Sequence, residues 1–141
     1  ARGLARVEAI PVNITRRPVP PDSFAEKRLR GLEEYRDGHY ESARAYFERA
    51  AEIQPADSEI LLFLGSAAML VGDHDAAAKH LLMLVEGTND EGLRMEGLWQ
   101  LANSYLAVGR VEEAKSLLGR VRDTGGLRAD EATTLLRQLN D

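Results

Sequence analysis

The chain has 141 residues, 44% of them hydrophobic and 29% charged, which suits one domain or one short repeat array with a buried core. A net charge of −5 and a pI near 5.3 argue against nucleic acid as the main partner, because phosphate binding needs a concentrated basic face. The absence of cysteine removes disulfides, thiolate metal sites and cysteine nucleophiles together, and no apolar run approaches the length of a bilayer span.

Residues 1–22 form a basic lead. Arg2, Arg6, Arg16 and Arg17 stand against Glu8 and Asp22, a net of +2, which leaves −7 for the rest of the chain. Pro11, Pro18, Pro20 and Pro21 forbid a regular helix and favour extended or polyproline backbone. Val7, Ile10, Val12, Ile14 and Val19 make the lead too apolar for a pure linker. Two readings stand: a disordered tether, or a segment whose residues 12–19 dock on the repeats of this chain or of another. The opening at Ala1-Arg2-Gly3, with neither initiator Met nor signal peptide, reads as that of an excised or processed piece.

Helices follow. Ser23-Phe24-Ala25-Glu26 is a capping box that opens a helix over 23–37. Gly38 ends it, and the next runs 40–53, with Pro55 closing the unit. Asp57 caps a helix over 57–71, Gly72 ends it, and 74–86 follows. Asn89 or Asp90 caps 91–108, Gly109 ends it, and 111–122 follows. Gly125-Gly126 breaks the chain before 129–139, where Ala132, Leu135, Leu136 and Leu139 recur at helical spacing. That last helix would cap the exposed end of the array.

The same landmarks recur in three units. The turn glycines Gly38, Gly72 and Gly109 are 34 and then 37 residues apart, read as one period with three extra residues in the second loop. Gly31, Gly65 and Ala102 precede each turn glycine by seven residues, where two helices must approach closely. Ala43, Ala77 and Ala114 follow it by five, again at tight crossings. Phe47, Leu81 and Leu118 come four later and are core candidates, as are Ala50, Leu84 and Val121 three further on. The pattern resembles the tetratricopeptide repeat family, whose helix–turn–helix unit has a period of about 34 residues. The resemblance implies an all-α fold: a right-handed superhelical array of three helix pairs (24–57, 58–91 and 95–128) with a capping helix at 129–141 and an extended arm at 1–22.

It also implies a function and a surface. In this family the first helix of each pair lines a concave groove that takes extended peptides. The matching positions are Arg28, Leu29, Leu32, Tyr35 and Arg36 in the first unit, Leu62, Phe63, Ser66 and Met69 in the second, and Trp99, Gln100, Asn103 and Leu106 in the third. Trp99 is either a core residue or an anchor for a partner's apolar side chain. Arg28 and Arg36 share a face and are either solvated charge or a grip on a peptide carboxylate. Some co-chaperones of the family clamp a C-terminal carboxylate with Lys or Arg and Asn on successive first helices. Arg28 and Asn103 fit that set, but Leu62, Phe63 and Ser66 leave it incomplete.

No catalytic constellation, cofactor or metal site is expected. His39 and His74 are turn fillers, and His80 lies six residues from His74, which is not the one-turn spacing of a helical metal pair. Glu33-Glu34, Asp73 with Asp75, and Glu112-Glu113 read as solvated surface. A narrower likeness rests on arrangement: Arg6-Val7-Glu8-Ala9-Ile10-Pro11 ahead of three repeats, with Leu62-Phe63-Leu64-Gly65 and Leu98-Trp99-Gln100-Leu101-Ala102 inside them. It is similar to the extracytoplasmic region of bacterial membrane-anchored proteins that carry a zinc-finger, anti-sigma-like segment upstream. The expectation is therefore a protein-binding scaffold with no nucleic acid partner and no membrane contact by this fragment. The alternative is self-association, with the groove filled by residues 10–20 of its own or a neighbour's arm, and the alternative to an extracytoplasmic location is a cytoplasmic scaffold.

Overall fold

The computed structural model describes residues 4–15 and 17–141; the chain opening at 1–3 and Arg16 lie outside them. Seven helices are present among the described residues, with no strand: α1 (Phe24–Arg36), α2 (Tyr40–Ile53), α3 (Ser58–Leu70), α4 (His74–Gly87), α5 (Glu91–Ala107), α6 (Val111–Asp123) and α7 (Ala129–Asn140). Each helix packs on the next, and α3 also touches α5, so the chain is an all-α helical repeat.

The turn between paired helices has one cause. Gly38, Gly72 and Gly109 hold φ of +83°, +87° and +83°, backbone that side-chain-bearing residues rarely adopt. Close crossing of the pairs has another. A Cβ on Gly31 would lie 2.5 Å from the Phe47 ring, and one on Gly65 would lie 2.5 Å from Leu81, so glycine sets the helix separation. In the third pair Ala102 and Leu118 are both fully buried in one cluster.

Caps follow the acidic residues. Asp57, Asp73 and Asp90 accept the backbone N–H of Ile60, Ala76 and Leu93 at 3.0, 3.2 and 3.0 Å. Ser23 accepts from Glu26 N–H at 3.1 Å, while the Glu26 carboxylate reaches back to the Asp22 N–H at 3.0 Å, one residue earlier than a standard capping box. The longer third period is not a longer loop, contrary to expectation. The extra residues enter α5, which has 17 residues against 13 in α1 and α3. Arg94 holds that added turn by pairing with Glu91 and donating to the Val85 and Thr88 carbonyls.

Three apolar clusters run along the array. The first joins α1, α2 and α3 around Tyr35, Phe47 and Phe63. The second surrounds α3 and α4 with Leu62, Met69, Leu81 and Leu84. The third joins α5, α6 and α7 around Trp99, Leu106, Leu118 and Leu135. The arm touches all three. Leu4 and Ala5 pack on the third, Ile10 on the first and second, and Val12 and Ile14 on the first. The docked stretch therefore lies earlier than the expected 12–19; Val19 is half-buried but belongs to none of the clusters.

Candidate binding face

The first helix of each pair, α1, α3 and α5, forms one continuous face. Tyr35 on α1 and Ser66 on α3 share a hydrogen bond of 2.6 Å. Arg28 on α1 pairs with Glu59 on α3. Chain order alone does not make α1 and α3 neighbours; two helices of the repeat must stack first.

Two backbone groups of the arm meet side chains of this face. The Arg6 N–H donates to Asn103 Oδ1 at 2.7 Å, and the Ile10 N–H donates to Tyr35 Oη at 2.8 Å. Asn103 is fully buried, and its Nδ2 donates to the Trp99 carbonyl at 2.9 Å. The amide orientation is thereby fixed: one edge must accept from an N–H and the other must donate to a C=O. Tyr35 is held as firmly. Its ring meets Phe63 edge-on at 5.1 Å and Tyr40 at 5.3 Å. Burial raises its phenol pKa, while the bonds with Ser66 and Ile10 act in the opposite direction.

From the second point onward the arm contributes a simple pattern. Ile10, Val12 and Ile14 are half-buried, while Pro11, Asn13 and Thr15 are exposed. That is the period of extended backbone with one face covered. Residues 6–9 stand exposed, and a cavity of about 250 Å³ remains beneath them, lined by Arg6, Glu8, Ala9, Ile10 and Pro11 of the arm and by Glu96, Trp99, Gln100 and Arg128.

The expected groove residues separate into three groups. Tyr35, Ser66, Trp99, Gln100 and Asn103 lie beside the arm or its cavity. Leu32, Leu62, Phe63, Met69 and Leu106 are buried members of the clusters. Arg28 and Arg36 remain partly exposed, and both have carboxylate partners, Glu59 and Asp37. The Glu59 hydrogen bond raises the Arg28 pKa further above its already high value. Leu29 is half-buried. Trp99 is a core residue at 3% exposure and also lines the cavity. The Arg128 guanidinium lies 5.2 Å from its ring centre and is fixed by Glu96 and Glu131. Residue spacing did not single out Glu96 or Arg128, because their pairing spans 32 positions.

The histidines do not converge. His39 bonds Glu34 at 2.7 Å on the surface, and burial, then Lys79 and Arg44, lower the His80 pKa. Among the described residues no group of three or more His, Asp or Glu gathers at a metal-binding distance.

Stacked helix pairs with glycine turns and one side-chain-lined face define an all-α helical repeat protein. Residues 28–92, covering most of α1, all of α2–α4 and the start of α5, match the family model for tetratricopeptide repeat, which supports a tetratricopeptide repeat family for this chain. Repeats of this family generally mediate protein–protein interactions and are typically non-catalytic. A search of curated proteins finds no match, and nothing in these comparisons supports the narrower likeness to membrane-anchored zinc-finger proteins.

Proposed function

We propose that this chain is a protein-interaction module that takes an extended polypeptide segment along the face of α1, α3 and α5. One observation carries the proposal. Asn103 and Tyr35, locked from behind by Trp99 and Ser66, accept backbone N–H groups of a non-helical segment at two points four residues apart. Acceptors aimed at main chain recognise extension and register before they recognise side chains, which suits a receptor for extended segments. The arm is the resident segment in this reading, so the groove-receptor and groove-filled alternatives are two states of one surface.

The test is amide hydrogen exchange on the whole chain. Arg6 and Ile10 amides are expected to be protected by tenfold or more over the exposed arm residues Val7 and Glu8. Exchange at Arg6 and Ile10 as fast as at Val7 would remove the basis for the proposal.

A further inference from the structure

The arm covers its face incompletely. No described arm residue is fully buried, whereas Tyr35, Ser66, Gln100 and Asn103 beneath or beside it all are. It leaves the cavity over Trp99 unfilled. It rejoins α1 through residues 17–22, which include Pro18, Pro20 and Pro21 and belong to none of the three clusters. Two main-chain hydrogen bonds, an exposed Arg6–Gln138 contact and the half-buried side chains of Leu4, Ala5, Ile10, Val12 and Ile14 hold the arm, and its tether adds an effective concentration in the millimolar range. Such an occupant sits at the low-stability end of the molecule.

Resting on the proposed groove function, we infer that the arm is a tethered stand-in, and that its own pattern spells the partner this face takes in trans. The partner is an extended segment of another protein with branched aliphatic residues at three alternate positions. It must also offer free backbone N–H groups at the first of these and four residues before it. Proline is excluded at those two positions, since Asn103 and Tyr35 would lose their donors, and is tolerated immediately after the first aliphatic, where Pro11 already stands. A side chain larger than Ala9 at the ninth position gains the space over Trp99 and Gln100. Burial of the same side chains in the wrong phase turns all three aliphatic residues to solvent, because a one-residue slip of extended backbone reverses its faces.

The experiment uses the full-length chain with Ile10→Asp, Val12→Asp and Ile14→Asp, which undocks the arm, and three labelled peptides. One carries the sequence of residues 4–15. The second places alanine at 10 and exchanges the remaining neighbours so that the aliphatic residues fall at 11, 13 and 15 while an N–H is kept at 10. The third carries Ile10→Pro. The first is expected to bind the substituted chain at least tenfold tighter than the unsubstituted chain, and the other two at least tenfold more weakly than the first. Equal binding of the phase-shifted peptide would overturn the inferred code while leaving the groove function standing. Failure of every peptide, together with unprotected Arg6 and Ile10 amides, would defeat the groove function itself. Should the triple substitution cost the helices their fold, the unsubstituted chain decides. Excess first peptide must accelerate exchange of the chain's tethered Ile10 amide and shift Trp99 emission, and the phase-shifted peptide must not. No acceleration by either peptide would overturn the inference.

Discussion

The two ends of the α1–α3–α5 face hold the arm by different means. At the α1 end the grip is apolar and aromatic: Ile10, Val12 and Ile14 lie on the cluster of Tyr35, Phe47 and Phe63, and a single phenol oxygen takes one N–H. At the α5 end Leu4 and Ala5 add apolar packing, but the directed contact is polar and leaves room: the Asn103 amide takes the other N–H beside a cavity edged by Trp99, Glu96 and Arg128. Apolar contact is non-directional and scales with area, so the first end sets how strongly a segment is held. A buried amide with one allowed orientation is directional, so the second end sets its register. On the proposed function, such a face would tolerate different aliphatic residues at one end and be strict about backbone position at the other.

Substitutions can break or sharpen that division. The largest effect is expected from Gly65→Ala on α3, the floor common to both ends. Its Cβ would press into Leu81, which has no exposure and no room to yield, so unfolding in urea should show a loss of about 3 kcal/mol. Arg6 and Ile10 amides should then lose protection together. Asn103→Ala should cost about 2 kcal/mol, since it removes a buried acceptor and the donor to Trp99. Its exchange signature should be local, with Arg6 faster and Ile10 unchanged. Tyr35→Phe keeps the ring contacts and loses the bonds to Ile10 and Ser66, for about 1 kcal/mol, with Ile10 faster and Arg6 unchanged. If either variant releases both amides equally, the ends are one unit and the comparison fails. Ala9→Leu should give the smallest change, a gain of about 0.5 kcal/mol in arm docking as the side chain enters the cavity.

Tyr35 also gives the first end a pH signature. Its pKa is raised in the folded chain, so the folded state holds its proton where the unfolded state has begun to lose it. Its contribution to stability is full below the ordinary phenol value of about 10 and is lost as pH climbs through the raised value. Tyr35→Phe should flatten that alkaline loss in urea titrations, and Asn103→Ala should not.

Much of the fold was legible in the residues, and for identifiable reasons. Each helix boundary falls within one residue of its expected position, because turn glycines and capping aspartates act over one helical turn and need no distant partner. The insertion before the third unit was harder. Three extra residues can lengthen a loop or a helix, and Arg94 decides in favour of α5 only by reaching carbonyls at the end of α4. The site was legible as a set of first-helix positions but not in its division. Tyr35 and Leu32 lie three apart on one helix and both sit in the first cluster, yet Tyr35 also bonds the arm. Arg28 offered a carboxylate grip on paper; Glu59 takes it, 31 residues away. The alternation in residues 10–15 was visible only as apolar content, and the contacts of Leu4 and Ala5 ahead of it were not foreseen, because a short apolar run carries no address.

The sequence by itself determined the repeat: its period, its turns, its caps and the small residues where helices cross. These are local steric demands, met or failed by each residue with its near neighbours. Only the tertiary structure decided which first-helix side chains face the arm, which cation pairs with which carboxylate, and where the arm lies. Those outcomes depend on surfaces that exist only after helices distant in the chain have stacked, and a side chain cannot encode a neighbour that packing has yet to supply.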